Sequence, residues 1–175
     1  MEVPPVDSYL SKIRRVVPDA PEKFVLVDVA RQKLSLMDAG VTLRSYIIST
    51  SSFGIGNREG SQRTPPGVHR IIEKIGDGVP SGAIFRDRID TGVVWRPGII
   101  GDNLILTRIL RLEGLQDGIN RGPGIDTYER YIYIHGTNQE QLIGTPMSHG
   151  CVCMKNRDII ELFNDVREGT IVIID

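Results

Sequence analysis

Residues 145–156 read Thr-Pro-Met-Ser-His-Gly-Cys-Val-Cys-Met-Lys-Asn, and they follow a His-Gly-Thr segment at residues 135–137. A cysteine is a strong nucleophile only as the thiolate, and a free thiol has a pKa of about 8.5, so it needs a base or a cation nearby. Of the three histidines in the chain, His135 and His149 lie close in sequence to Cys151. Glycines beside His135 and Cys151 allow the backbone to approach a substrate closely. The stretch therefore predicts a Cys–His site for acyl transfer.

Two other interpretations of this stretch remain open. A lone cysteine is most often a small buried hydrophobic residue, and the apolar run at residues 152–154 suits a core strand. The Ser-His-Gly lead-in is more polar and flexible than an ordinary core strand, which argues against that interpretation. Two histidines and two cysteines also suggest zinc, but a Cys-x-Cys spacing and the lack of a short His-x-His spacing disfavour a metal site. No metal is therefore expected.

The composition describes one ordinary globular domain. The chain has 175 residues, 40% of them hydrophobic and 25% charged, with a net charge of −1. This balance gives no support for nucleic acid as a partner, and no apolar run is long enough for membrane insertion. The first residues lack the basic and apolar regions of a signal peptide, which predicts a cytoplasmic location, or a periplasmic one if the sequence is truncated. Two cysteines also fit a reducing compartment.

The hydrophobic patterns predict a mainly β, β-rich α+β domain with one clear helix after the cysteine. A short amphipathic helix is expected over residues 8–17. Residues 76–101 are expected to be mostly irregular, because glycine and proline recur every few positions. Strands are expected over 24–29, 33–37, 41–49, 68–75, 83–85, 93–95, 104–112, 131–135 and 170–174.

The alternation in residues 131–135 bears directly on the candidate site. A period of two places Tyr131, Tyr133 and His135 on one face of a strand and two isoleucines on the other. His135 is thus predicted to lie at the carboxyl end of a strand, with aromatic side chains along its own face.

Three further positions carry predictions. Asn156 suits the N-cap of a helix over residues 157–166. Residues 113–127, which include Arg121, predict a long loop that is either a functional lid or a disordered connection. His69 has no catalytic partner nearby in sequence and is expected to be a structural histidine with satisfied hydrogen bonds.

The ordered string His135-Gly136-Thr137, Thr145-Pro146-x-Ser148-His149-Gly150-Cys151-Val152-x-Met154-x-Asn156 resembles the catalytic signature of the L,D-transpeptidase (YkuD-type) family. The resemblance covers roughly residues 23–175 and leaves residues 1–22 as an N-terminal helical extension. It implies a β-sandwich or barrel-like sheet with a helix after the cysteine. Further stretches resemble the family's first hairpin, its Thr-Pro-x-Gly loop, and its closing helix and strand; they are 27–28 with 32–34, 64–67, and 158–174.

The resemblance implies a role for each matching residue. Cys151 matches the nucleophile, and His135 matches the base that keeps it as a thiolate. The carbonyl of Gly136 matches the group that orients the imidazole. His149 and Gly150 match the lead-in whose backbone N–H groups form an oxyanion hole. No cofactor or metal is implied.

The implied substrate is a peptidoglycan stem tetrapeptide or muropeptide. The cysteine attacks the carbonyl of the third residue, at the L-centre of a diamino acid, and D-alanine leaves. Water as acceptor gives an L,D-carboxypeptidase of muropeptide recycling, which a cytoplasmic location favours. An amine as acceptor gives an L,D-transpeptidase that cross-links the wall. The oligomeric state is not readable from the sequence.

One departure from the family pattern stands at Cys153, where the family usually has arginine. An arginine there would add positive potential beside the thiolate and could bind a carboxylate. The alternative function is therefore a catalytically weak peptidoglycan-binding module. Four further residues are candidates for substrate binding; they are Tyr133, Ser148, Asn156 and Arg121.

Overall fold

A computed structural model describes residues 6–175. The helices are α1 (Val6–Val16) and α2 (Asn156–Asp165), with a short 3-10 turn at Glu140–Leu142. The strands are β1 (Phe24–Asp28), β2 (Lys33–Asp38), β3 (Val41–Ile47), β4 (Gly67–Ile75), β5 (Ala83–Arg86), β6 (Ile89–Val94), β7 (Leu106–Gly114), β8 (Tyr133–Gly136), β9 (Val152–Met154) and β10 (Ile171–Ile174). The mainly β class predicted from the sequence is confirmed.

The strands form one mixed sheet that branches at β7. Along its main path the order is β3-β2-β1-β10-β4-β7-β5-β6, and β8 pairs with both β7 and β9. Two pairs are parallel, β1 with β10 and β8 with β9. The β8–β9 pair places His135 opposite Cys153, which fixes the histidine beside the segment that carries the cysteines. The branch therefore creates the site.

The main core lies between this sheet and α2. The helix buries Ile159, Leu162 and Phe163, a spacing of three and four residues that forms one apolar face. They pack with buried side chains of the central strands, including Ile134 and Leu110. Fully burying one such side chain contributes about 1.5–3 kcal/mol relative to leaving it exposed.

A second core joins α1 to the opposite side of the sheet. Leu10 and Ile13 of the helix are buried against Phe24 and Ile171. An ion pair of 3.0 Å between Lys12 and Asp175 links the helix to the end of the chain. The helix predicted over residues 8–17 is thus present, within two residues at its N-terminal end, and packs as part of the fold.

The structure corrects two predictions near the site. The strand expected from residue 131 begins at Tyr133, because Tyr131 has a φ of 55° and lies outside the sheet with its side chain 53% exposed. Asn156 is the first residue of α2 rather than its N-cap, which is Lys155 without a capping side chain. The carboxylate of Glu140 instead accepts the Asn156 N–H at 2.6 Å, so a distant residue serves this helix end.

The segment expected to be mostly irregular also holds more structure than predicted. It contains the hairpin β5–β6, whose register pairs Arg86 with Ile89. The two turn residues, Asp87 and Arg88, both have positive φ values, 48° and 68°. Turns of this kind favour asparagine and glycine, so an Asp-Arg pair gives no hairpin signal in the sequence.

Candidate active site

Cys151 lies immediately before β9 in a half-buried position. Its sulfur accepts a hydrogen bond from the backbone N–H of Tyr133 at 3.4 Å and donates to the carbonyl of Tyr131 at 3.6 Å. Both tyrosines belong to the chain that enters β8. The thiol is therefore placed by backbone groups on the neighbouring strand.

The turn before the cysteine is fixed by buried hydroxyl groups. Ser148 is fully buried, and its Oγ donates to the carbonyl of Cys151 at 2.5 Å and accepts the N–H of Gly150 at 3.3 Å. Thr64 donates from its Oγ1 to the carbonyl of Gly150 at 3.0 Å. Gly150 has a φ of 130°, and a Cβ there would lie 3.0 Å from Ile132, so this position requires glycine.

His135 is buried at the end of β8, with 1% of its surface exposed. Its Nδ1 donates to the carbonyl of Gly136 at 2.6 Å, the contact expected from the sequence. With Nδ1 protonated in this way, Nε2 of the neutral ring carries the lone pair. Burial lowers the pKa of His135 from 6.5 to about 4, against a smaller raising effect of the Gly136 carbonyl. The imidazole is thus neutral at pH 7.

Cys153 is the sulfur that faces this imidazole. Its Sγ lies 3.9 Å from His135 Nε2 and donates to Asn103 Oδ1 at 3.4 Å. Within residues 6–175 no hydrogen bond joins the Cys151 thiol to His135. The direct pairing expected of the two candidate catalytic residues is therefore absent from the resting structure, and their catalytic assignment stays a prediction.

The electrostatics of Cys151 favour the neutral thiol. Burial raises the pKa of the Cys151 thiol to about 11, while the Tyr133 N–H and the positive charge of Arg130 lower it by less. Arg130 itself donates to the carbonyls of Gly56 at 3.2 Å and Arg63 at 2.6 Å. The resting site thus contains a thiol and a neutral imidazole, in contrast to the thiolate expected from the resemblance.

Two of the four predicted substrate-binding residues are buried. Ser148 has no exposed surface and holds the turn described above. Tyr133 is 3% exposed, and its ring packs beside Phe85 and Ile109 in the small apolar cluster next to Cys151. Their roles in the structure are to shape the site, and neither side chain is open to a substrate.

The other two predicted substrate-binding residues have polar partners of their own. Asn156 accepts from Thr107 Oγ1 at 2.5 Å and donates to the Thr137 carbonyl at 2.9 Å, so it ties α2 to the end of β8. Arg121 pairs with Asp117 at 3.7 Å in the long loop and makes no hydrogen bond or ion pair to Cys151 or His135. Neither residue reaches the reacting groups in the structure.

His149 is exposed and lies two residues before Cys151. Its ring centroid is 6.1 Å from that of Phe53. A cleft of about 290 Å³ runs past it, and its lining includes Arg130, Tyr131 and Glu59. A larger hollow of about 640 Å³ lies within the neighbouring loop at residues 53–63. Both hollows lie beside the turn that precedes Cys151, and Cys151 itself lines neither of them.

Sequence reasoning missed Arg130 and Asn103 because only the folded chain brings them to the site. Neither lies in a local pattern that marks a function, and each acts across more than twenty residues of sequence. Within the described part of the chain, no group of three or more histidine, cysteine or acidic side chains is arranged to hold a metal ion. The helices of that part are too short or too polar to cross a bilayer.

Comparisons with known proteins identify the family of this chain. The family model of the L,D-transpeptidase catalytic domain, YkuD, matches residues 22–174. The probable L,D-transpeptidase YcfS of Escherichia coli K12 is 26% identical over 179 aligned residues, which cover 95% of this chain and 51% of that protein. The chain thus spans about half the length of the curated relatives that it matches along most of its own length.

Solved structures share the fold at low sequence identity. An L,D-transpeptidase from Xylanimonas cellulosilytica is 18% identical with a TM-score of 0.56, covering 90% of this chain and 62% of that one. L,D-transpeptidase 3 from Mycobacterium tuberculosis, in complex with a faropenem-derived adduct, is 17% identical with a TM-score of 0.54, covering 89% and 60%. Because the family model matches residues 22–174, this chain belongs to the YkuD family of L,D-transpeptidase catalytic domains.

Proposed function

We propose that the protein catalyses cysteine-dependent acyl transfer on peptidoglycan stem tetrapeptides, with Cys151 as the nucleophile and His135 as the base. The observation that carries the proposal is the parallel pairing of β8 with β9, which sets an oriented neutral imidazole beside the segment that bears the thiol. A neutral imidazole with a free lone pair is a competent general base.

The first half-reaction begins from the neutral pair. On substrate binding the Cys151 side chain turns toward Nε2, which accepts the thiol proton as Sγ attacks the carbonyl carbon of the third residue. The carbonyl electron pair moves to oxygen and then returns as the bond to D-alanine breaks. The imidazolium gives its proton to the departing amine, and a thioester remains on Cys151. Hydrogen bonds between catalytic groups commonly tighten only in the substrate complex.

The tetrahedral oxygen needs hydrogen-bond donors near the cysteine. The backbone N–H of Gly150 is engaged by Ser148 Oγ at 3.3 Å, whereas the N–H of Cys151 has no acceptor within the described residues. We assign the backbone N–H of Cys151 as the first oxyanion donor. His149 lies two residues earlier, in the exposed segment that precedes the cysteine. Removing one such donor in a hydrolase typically costs about 2.7–4 kcal/mol.

The thioester is resolved by water or by the amine of a second stem peptide. Water gives an L,D-carboxypeptidase and the amine gives an L,D-transpeptidase. A cytoplasmic location with recycled stem peptides as substrates is the accompanying proposal, and it is supported by two free cysteines, which suit a reducing compartment.

A second candidate, a catalytically weak peptidoglycan-binding module, draws on a specific observation. Cys153 occupies the position that faces His135 Nε2, and the Cys151 thiol has a raised pKa. A module that only binds stems needs no reactive thiol. The two candidates therefore differ in whether Cys151 forms products.

The experiment that separates them follows product masses from a disaccharide tetrapeptide, with and without a second stem as acceptor. Loss of D-alanine with addition of water, or formation of a cross-linked dimer, is expected from the wild-type protein and not from Cys151→Ala. Binding of the tetrapeptide without any Cys151-dependent product would overturn the enzymatic proposal and favour the binding module.

A further inference from the structure

Arg88 is the second residue of the two-residue turn that joins β5 to β6. Both turn residues, Asp87 and Arg88, adopt the left-handed backbone region, with φ values of 48° and 68°. Side chains with a Cβ rarely adopt this conformation. The turn thus places Arg88 at the tip of the hairpin, and the contacts of its side chain decide where its charge lies.

The guanidinium of Arg88 contacts Tyr131 and Tyr133, the two residues whose backbone groups contact the Cys151 thiol. Its Nη1 donates to Tyr133 Oη at 3.2 Å, and its carbon lies 5.1 Å from the centroid of the Tyr131 ring. The same tyrosines contact Cys151 Sγ through their backbone N–H and carbonyl groups. Arg88 thus contacts the two residues that themselves contact the sulfur of Cys151.

Arg88 forms no ion pair within residues 6–175, although the adjacent Asp87 carboxylate makes a small contribution to its raised pKa. Its one hydrogen bond uses one of five N–H donors and goes to a neutral phenol. That bond raises the pKa of Arg88, which therefore stays cationic at any relevant pH. Arg70 and Arg44, by contrast, pair with carboxylates at 2.6 Å and 3.3 Å. Arg88 itself is partly exposed, and the Tyr131 ring beside it is 53% exposed, so this side of the site is accessible to solvent.

Cys153 provides no alternative cation at the site. Its side chain is fully buried, with Asn103 and His135 as its polar neighbours. Arg130 donates to two backbone carbonyls at 2.6 and 3.2 Å, which already occupy both ends of its guanidinium. Arg88 is thus a guanidinium with most of its donors unused, in contact with both tyrosines that hold the thiol.

We propose that Arg88 binds a carboxylate of the donor stem peptide and so anchors the substrate at Cys151. A planar guanidinium matches the two oxygens of a carboxylate with parallel N–H donors, which lysine does not reproduce. The proposal rests on the proposed function and adds a specificity residue to it. The two carboxylates closest to the bond that breaks are that of the terminal D-alanine and that on the side chain of the diamino acid.

The test measures binding in the Cys151→Ala background, so that it does not depend on turnover. Calorimetry compares a tetrapeptide with both carboxylates free, one with the terminal carboxylate amidated, and one with the diamino acid carboxylate amidated. Arg88→Gln is expected to weaken binding of the free acid about 10- to 100-fold, as for loss of a charged hydrogen bond. The same substitution should change binding of one of the two amides less than threefold, and that amide identifies the carboxylate.

Controls separate recognition from folding and from general charge. Arg86→Gln removes a charge from the exposed end of β5 on the same hairpin and should leave binding of all three peptides within threefold. Arg88→Lys should recover only part of the affinity. Equal losses on acid and both amides, or no measurable binding of the free acid, would overturn the role of Arg88. Absence of Cys151-dependent product from the wild-type protein would instead count against the proposed function.

Discussion

His69 on β4 and His135 on β8 are two buried histidines that differ in the hydrogen-bond partners of their ring nitrogens. Both are at most 1% exposed, and burial lowers the pKa of each to about 4. His69 places Nδ1 3.0 Å from the Gly67 carbonyl and Nε2 3.1 Å from Thr127 Oγ1. Both of its nitrogens are therefore engaged by oxygen partners, as expected for a structural histidine.

His135 has a strong partner on one nitrogen alone. Nδ1 is tied to the Gly136 carbonyl, but Nε2 faces only the Cys153 sulfur at 3.9 Å, a weak hydrogen-bond partner. The lone pair of Nε2 is thus available for a proton. The comparison teaches that burial and a low pKa do not separate the candidate base from a structural histidine, whereas the partner of Nε2 does.

The largest expected effect comes from exchanging the two rings for glutamine. His135→Gln should lower kcat on the tetrapeptide by about 10²- to 10⁴-fold, because the general base is lost. His69→Gln, the matched control, should keep kcat within about threefold while it lowers the unfolding free energy by about 1–2 kcal/mol. Steady-state kinetics and urea unfolding of both variants check this. Equal kinetic losses in the two variants would remove the distinction between the rings.

The next effect concerns the stability of the fold in acid. Above pH 6.5 both rings are neutral in the folded and unfolded chain. As the pH falls from about 6.5 to 4, the unfolded chain binds protons that the two buried rings do not, so stability is lost. Each histidine should account for about 3 kcal/mol of this loss.

Urea unfolding at pH 7 and pH 4.5 measures that loss. His69→Gln should show a smaller decrease of the unfolding free energy between the two pH values than the wild-type protein, since only His135 then contributes. A decrease of the same size in both proteins would show that His69 is protonated in the fold.

The smallest expected effect concerns Arg130, whose charge acts on both His69 and Cys151. The charge of Arg130 lowers the pKa of His69 and of Cys151, whereas it is not a cause of the His135 shift. Arg130→Gln should raise the pKa of Cys151 and of His69 and leave that of His135 unchanged. Thiolate absorbance and the NMR titration of the ring protons report the three groups, and Arg58→Gln in the nearby exposed loop is the charge control. A change in the pKa of His135 without a change in that of Cys151 or His69 would contradict the assignment of the Arg130 charge to those two groups.

Local patterns predicted the parts of the site that depend on neighbouring residues. The strand that ends in His135, the turn before Cys151 and the helix after it follow from alternation, glycine and apolar spacing. The contact between His135 Nδ1 and the Gly136 carbonyl, by contrast, is implied by the family resemblance and is present in the structure.

Distant contacts decided what the sequence left out. The backbone N–H of Asn156 donates to the carboxylate of Glu140, sixteen residues earlier in the chain. The prediction that Asn156 is the N-cap of the helix was therefore wrong. Ser148 looked available to a substrate, but the fold buries it under its own turn. Arg121 is the carboxylate candidate that the glycine-rich loop suggests, yet Asp117 pairs with it. The guanidinium that contacts both tyrosines beside the thiol belongs to Arg88.

The most direct test of the account is the position of the acyl group. The protein is mixed with the tetrapeptide and quenched in acid, and peptide fragmentation then locates the thioester. Since one segment carries both cysteines, Cys153→Ala and Cys151→Ala serve as a matched pair. The account predicts acylation of Cys151 in the wild-type protein and in Cys153→Ala, and none in Cys151→Ala. An acyl group on Cys153, or turnover without acylation of Cys151, would contradict it.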